Sequence, residues 1–428
     1  VLQLAKAISP YWLRWKLGIE RVEIENAEPL IRLYQDLQAR KVRFTIAFRH
    51  PSTDDPPCLQ HLLFHVLSRE ARRLHQPLQR PSHAHFIYER GVLMWAGAEA
   101  RWILPRLGAT PILRGKLDRN GLLTVRKLLV DSPFPVAASP EGKVNGHSEI
   151  VSPLEPGVAQ MGFWCAEDLQ KANRSEPVFI LPLGVRYTYS NPPWDAIHRL
   201  TCELEADCNL PVQAPIPNGA EAERVEWFRD RLLQLRDYLL PLMEKHYARF
   251  YHQPLAQTGT TRERLEALLS AAFGVVEETL NLKPQGSLTE RRHRLEQAAW
   301  DRIYRADLDL ARASTVERGL ADQLAKESSL LLWHMRLLEN FVEVTGEYVA
   351  AKPTVERLAE TLLLIWDSVA RIRGKGLAAR PTLGLRVARF IVGEPLSVSE
   401  RWPDYQDNRR QAVNALTQDL FTALKTLL

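Results

Sequence analysis

Apolar and polar positions follow two different rhythms along this chain. Residues 27–41 put Leu30, Ile31, Tyr34 and Leu37 at helical spacing, which predicts an amphipathic helix. Residues 42–48 then alternate, with Val42, Phe44, Ile46 and Phe48 on one side of a strand. Pro56, behind two aspartates, opens a helix through about residue 75 whose apolar face is Leu59, Leu62, Leu63, Val66 and Leu67. Residues 85–88, 110–113, 136–138 and 178–187 read as further short strands, separated by helical stretches. Strands alternating with helices predict an α/β domain, a mixed sheet flanked by helices, with its chemistry at strand ends and in loops.

Past about residue 215 the strand rhythm stops. Residues 219–251, 260–281, 286–308, 319–350 and 353–373 are long amphipathic helical patterns, broken near Thr258-Gly-Thr, Pro284-Gln-Gly and Ala351-Lys-Pro. A strand pattern returns at 385–392, followed by the turn Gly393-Glu-Pro-Leu-Ser397 and a last helix over 406–428. A lone strand among helices would leave its backbone groups unpaired, so 385–392 is expected to join the sheet of the N-terminal half. This predicts a discontinuous domain of residues 1–214 and 384–428, holding between its parts a large all-helical insertion, 215–383, of a size typical of a separate domain.

Composition sharpens this only slightly. The 428 residues leave room for roughly two to three domains, and 45% hydrophobic with 25% charged residues is ordinary for a globular protein. Cys58, Cys165, Cys202 and Cys208 are too unevenly spaced for a disulfide framework or a zinc site, which points to a reducing, cytoplasmic compartment. No apolar run reaches the roughly 18 residues of a membrane span, and no signal peptide is visible.

Charge is more informative. Residues 1–130 carry a net +10 although the whole chain carries +5, so the remainder is acidic. A basic N-terminal part suits an anionic partner such as a phosphate or an acidic lipid surface. Nucleic acid is a poorer fit, because no recognisable motif is present and the acidic remainder opposes binding along a backbone. Pro10-Tyr-Trp-Leu-Arg-Trp-Lys16 mixes aromatic residues and cations as bilayer-surface segments do; it could equally pack on the domain.

Three segments carry the candidate chemistry: His50-Pro-Ser-Thr-Asp-Asp55, Gly108-Ala-Thr-Pro-Ile-Leu-Arg114 and Pro140-Glu-Gly-Lys-Val-Asn145. Each follows or ends a strand-like run. A neutral imidazole near pH 7 can take a proton from a hydroxyl, and a carboxylate five residues on can fix its tautomer. Asp54 and Asp55 before Pro56 also fit a helix N-cap. Arg114 offers a planar fork for a phosphate, and Pro140-Glu-Gly142 is a tight turn by composition. His61 and His65, four apart on a helix, lack a third ligand and the glutamate of a zincin motif, so no metal site is expected.

The order and spacing of these segments resemble the glycerolipid acyltransferase superfamily with its HxxxxD motif, which includes the lysophosphatidate acyltransferases and tafazzin. The likeness covers about residues 40–190 and 385–428. It extends to Ile180-Leu-Pro-Leu183, which matches a fourth, proline-containing strand motif, and to the strand, Gly-x-Pro turn and helix that close the chain. It implies that His50 is a general base oriented by Asp55. Arg114 and Gly115 would hold the phosphate of a lysophospholipid such as 1-acyl-glycerol-3-phosphate, and Glu141, Gly142 and Lys143 would shape the acceptor site. The acyl donor would be the thioester of acyl carrier protein or coenzyme A, with no bound cofactor, and the enzyme would be a peripheral membrane protein.

Two departures bear on the substrate. Lys143-Val144 stands where most lysophosphatidate acyltransferases have Thr-Arg, and Arg49 replaces the asparagine usual before the histidine. Pro-Glu-Gly-Lys-Val-Asn, Asp54-Asp-Pro56 and Arg114-Gly115 look like tafazzin, which leaves open a transacylase moving acyl chains between phospholipid and lysolipid. A catalytically silent lipid-binding scaffold is a third reading, opposed by the intact His50 and Asp55.

Overall fold

The computed structural model describes every residue except 96, 114–117, 213–215, 306, 310 and 376–379, and leaves the side chains at 94, 95 and 98 undescribed as well. The chain divides into two compact units. Residues 1–113, 118–191 and 384–428 form one, and residues 192–383 belong to the other.

Among the described residues, the first unit is built on an eight-stranded mixed sheet. Its strands are β1 (Ile19–Glu25), β2 (Arg43–Phe48), β3 (His85–Glu89), β4 (Thr110–Ile112), β5 (Val136–Ala138), β6 (Val178–Tyr189), β7 (Arg386–Val392) and β8 (Leu396–Ser397). The order across the sheet is β1-β7-β6-β2-β5-β3-β4, with β8 beside β6. The strand anticipated near the C-terminus therefore lies inside the sheet, parallel to β1 and antiparallel to β6. β1 escaped the sequence reading because Glu20, Arg21 and Glu23 interrupt its apolar positions; as an edge strand it tolerates those charges.

β2 runs parallel to both of its neighbours, β6 and β5, and is buried along its whole length. The alternation read from Val42, Phe44, Ile46 and Phe48 reported only one of its faces. Arg43, Thr45 and Ala47 are buried too, because helices cover both sides of a central parallel strand. On one side lie α1 (Leu2–Lys16), α2 (Glu28–Gln38) and α3 (Asp55–His61), the last continuing through a π turn (Leu62–Val66) into α4 (Leu67–Arg73). Leu30, Ile31, Tyr34, Leu59, Leu62, Leu63 and Leu67 pack there on Phe44, Ile46, Leu183 and Phe390.

The short helices α5 (Val92–Trp95) and α6 (Ala98–Arg106) lie between β3 and β4. The other face of the sheet carries α7 (Arg119–Asp131) and α8 (Gly157–Lys171), together with the closing helix of the chain. Val125, Leu129, Phe163, Cys165, Leu416 and Leu420 pack there against Ala47, Val136 and Ile180.

The second unit, among its described residues, is entirely helical: α9 (Trp194–Asp207), α10 (Glu221–Phe250), α11 (Thr261–Leu280), α12 (Leu288–Ile303), α13 (Thr315–Phe341), α14 (Glu347–Ala351) and α15 (Val355–Ile372). α16 (Trp402–Asp407) and α17 (Arg409–Thr426) return to the first unit. α11, α12 and α13 each start at a reciprocal capping box: Thr260 with Glu263, Ser287 with Glu290, Ser314 with Glu317.

Two expectations need correction here. The unit boundary falls after Asn191 and not at residue 214, because α9 packs with the helices that follow it. Its buried Glu205 holds Arg231 of α10 through paired hydrogen bonds of 2.7 and 2.6 Å. The single helix read over 319–350 is two helices: the first starts earlier, at the Ser314 cap, and ends at Phe341, and the second begins after Gly346, whose φ of +89° no continuous helix could hold.

Candidate active site

β2 and β5 are parallel neighbours, with Ala47 opposite Ala138. The loops leaving their C-terminal ends must therefore meet, and these are the loops that carry His50 and Glu141. Separated by 91 positions in sequence, the two come together through hydrogen bonding: the His50 backbone N–H donates to Glu141 Oε1 at 3.0 Å. Gly146 N–H to Pro51 C=O, 3.1 Å, ties the loops a second time.

His50 Nδ1 lies 3.0 Å from Asp55 Oδ2. Asp55 is wholly buried, whereas the His50 side chain keeps 22% of its surface exposed. With a carboxylate as acceptor, Nδ1 carries the proton and Nε2 is left with its lone pair. Among the described residues no partner occupies Nε2. The ring stands edge-on to Phe48, 5.8 Å between centroids, which limits its tilt.

Asp55 does not cap the helix it begins. The N-cap residue of α3 is Asp54, and neither carboxylate makes a side-chain capping bond. Asp55 Oδ2 instead also accepts from the Ser52 N–H at 2.8 Å, and Oδ1 accepts from the buried Tyr187 hydroxyl of β6. Burial raises the Asp55 pKa from its ordinary value, opposed by His50, Tyr187 and Ser52, all of which favour the anion. Asp54 turns the other way and pairs with Arg386 of β7 at 2.7 Å.

Glu141 holds more of the loop than the sequence reading assigned to it. Its carboxylate is fully buried and pairs with Arg49, also fully buried, Nε to Oε1 at 3.3 Å. It further accepts from Ser152 N–H at 2.8 Å and from Asn145 Nδ2 at 3.4 Å. The remaining Arg49 donors go to the carbonyls of His147, Ser148 and Ile150. Asn145 Nδ2 also reaches the Ile150 carbonyl at 2.8 Å. Glu141 is thus spent on the peptide that carries His50 and on the loop behind it. Gly142 sits at φ +68°, a conformation that favours glycine, and Lys143 is half-buried next to it.

The fourth segment, Ile180-Leu-Pro-Leu183, is β6 alongside β2, with Pro182 opposite Ala47. Arg114 and Gly115 lie outside the described residues. Among the described residues no cluster of His, Cys, Asp or Glu is arranged for a metal ion. His61 and His65 are engaged with α1: His61 Nδ1 with Ser9 Oγ at 3.0 Å, and His65 Nε2 with the Lys6 carbonyl at 2.9 Å.

Sequence reasoning overlooked Arg49, Asn145, Tyr187 and Arg386. Arg49 was visible only as a departure from a motif, and its charge gave no hint that it would be buried. Tyr187 and Arg386 carried no local signal, since their partners lie 132 and 332 positions away. Compared with family models and with curated proteins, the chain matches none.

Proposed function

We propose that this protein is a glycerolipid O-acyltransferase. The observation that carries the reading is the dyad: a partly exposed imidazole whose Nδ1 is held at 3.0 Å by a buried carboxylate, leaving Nε2 as base. His50 Nε2 takes the proton of an acceptor hydroxyl as the oxygen attacks the acyl carbonyl of a thioester. Asp55 stabilises the imidazolium that forms. Collapse of the tetrahedral intermediate breaks the carbon–sulfur bond, and the imidazolium returns the proton to the departing thiolate. The products are the acylated lipid and the free thiol of acyl carrier protein or coenzyme A. The acceptor is a lysophospholipid such as 1-acyl-glycerol-3-phosphate, its phosphate held by Arg114 and Gly115. Residues 192–383 are read as a helical insertion in this acyltransferase domain.

Contact with a membrane surface is part of the proposal. Among the described residues no helix is long and apolar enough to cross a membrane. α1 nonetheless exposes Leu4, Ile8, Tyr11, Trp12 and Trp15, with Trp15 81% exposed. Their spacing puts them on one helical face, and Lys6, Arg14 and Lys16 accompany them. α1 also packs on the helix that opens with Asp55, through the His61 and His65 contacts. A face of this kind supports docking of the first unit, as a peripheral enzyme, on an anionic lipid surface that presents the acceptor.

Val144, in place of the arginine usual in lysophosphatidate acyltransferases, favours a second reading, a tafazzin-like transacylase using a phospholipid as acyl donor. One experiment tests both. Purified protein is incubated with lysophosphatidate or a larger lysophospholipid, with and without an acyl thioester, and the lipids are followed by mass spectrometry. Thioester-dependent acylation that His50→Ala abolishes supports the first reading, and acyl exchange between lipids without thioester supports the second. Full activity in a folded His50→Ala protein refutes both.

A further inference from the structure

The Ser52–Asp55 turn is held by side chains from two strands it is not connected to. Tyr187 of β6 donates its hydroxyl to Asp55 Oδ1, the oxygen that His50 does not use. Arg386, the first residue of β7, donates to Asp54 at 2.7 Å and to the Leu17 carbonyl at 3.0 Å. Its guanidinium also lies over the Tyr187 ring, 5.0 Å from the centroid. β6 and β7 are antiparallel with Tyr189 opposite Arg386, so Tyr187 and Arg386 are diagonal neighbours on the same face of the sheet. The two adjacent aspartates are thereby gripped from one face: Asp55 by a phenol, Asp54 by a guanidinium stacked on that phenol.

We propose that Tyr187 and Arg386 are positioning residues for the His50–Asp55 pair, which makes the strand returning at the C-terminus a working part of the site. The inference rests on the acyltransferase reading above and adds to it. A carboxylate with only one oxygen engaged can rotate about its terminal bond and offer His50 either oxygen at a poorer angle. With Tyr187 on Oδ1 and the Ser52 N–H on Oδ2, the plane of the carboxylate is fixed and Oδ2 faces Nδ1. Arg386 in turn fixes the Tyr187 ring from above and holds the preceding residue of the turn. The charged and titratable groups facing Asp55 are His50 at the end of β2, Asp54 and Cys58 at the start of α3, Tyr187 on β6 and Arg386 on β7. Of these, His50 and Tyr187 bond to the carboxylate directly. Neither Tyr187 nor Arg386 is assigned a contact with substrate.

The test uses the full chain with Tyr187→Phe, Arg386→Lys and Arg386→Met, and with His50→Ala as control. Loss of one hydrogen bond to a charged group is expected to lower kcat about ten- to a hundredfold, with KM for the acceptor nearly unchanged. Removing a donor to the anion also makes Asp55 easier to protonate, so the acid limb of the pH–rate profile should move to higher pH in Tyr187→Phe. Arg386→Lys should retain more activity than Arg386→Met, because it keeps the ion pair with Asp54. Independently of turnover, the imidazole proton on His50 Nδ1, followed by NMR, should shift in Tyr187→Phe. If Tyr187→Phe does not fold, the two Arg386 variants and their pH profiles decide. An inactive His50→Ala beside a Tyr187→Phe of wild-type kcat and pH profile would overturn the positioning roles while leaving the proposed reaction standing. An active, folded His50→Ala would remove the reaction itself.

Discussion

Replacing Glu141 by Gln changes one atom, yet it should loosen the whole loop that carries His50. The carboxylate accepts the His50 N–H at 3.0 Å and the Ser152 N–H at 2.8 Å, and it neutralises Arg49; both members of the pair are fully buried. Glutamine keeps the shape but carries no charge, and its amide NH2 must face one of those N–H donors. Arg49 is then left charged in the interior with carbonyl partners only. Breaking one side of a buried pair costs about 3–5 kcal/mol, because the surviving charge has neither counterion nor water. The loop cannot recover that cost by turning outward without giving up the three carbonyl bonds of Arg49. Amide hydrogen exchange reads the effect directly, since the His50 N–H is itself one of the bonds. A cost of this size should cut its protection on the order of a hundred- to a thousandfold. Denaturant unfolding of the first unit should fall in step, and activity should fall with it. The double variant Arg49→Met/Glu141→Leu should cost less than the two single substitutions together, because no lone charge remains buried. Unchanged protection at His50 in Glu141→Gln, or strict additivity in the double variant, would refute the view that this ion pair organises the site.

The remaining predictions concern acid, lipid and acceptor. His83 is buried against Phe64 and donates to the Leu107 carbonyl, and desolvation lowers its pKa to about 4. Unfolding then takes up a proton between pH 6.5 and 4, so stability is complete above 6.5 and falls by up to about 3 kcal/mol as pH drops through that window. His83→Gln should flatten this part of the urea-midpoint profile, and an unaltered slope would remove His83 as its source. Trp12→Ala/Trp15→Ala should weaken binding to anionic vesicles roughly tenfold or more in a co-sedimentation assay. Binding of the unaltered protein should weaken with salt and with loss of anionic lipid, each basic residue near the surface contributing on the order of 1 kcal/mol; indifference to all three changes would exclude α1 as the docking face. Arg114→Ala should raise KM for a phosphate-bearing acceptor far more than for the acyl donor, with Lys restoring only part because it lacks the paired donors. Equal effects on both substrates would make Arg114 structural.

Local chemistry made much of this protein readable from the chain alone. Helices α2, α11 and α15 were visible because amphipathic spacing is set by the pitch of the helix and does not depend on what the helix packs against. His50 and Asp55 were visible as a pair because five residues across one turn bring them together without help from the rest of the fold. Strand β7 was recognisable by composition, and the need to pair its backbone pointed to the sheet. Its place between β1 and β6, however, follows from strand order, which no local pattern encodes. The same holds for α9, whose helical character says nothing about which unit buries its inner face; Glu205 and Arg231 decide that across 26 residues. The roles of Arg49, Glu141, Tyr187 and Arg386 likewise arise only after folding. A charged or phenolic side chain reads as surface in a sequence, and becomes an internal partner when strands distant in the chain deliver its counterpart into a region without water. The chain by itself placed an imidazole and a carboxylate within reach of each other. Tertiary structure decided which oxygen of Asp55 faces His50 and what keeps it there.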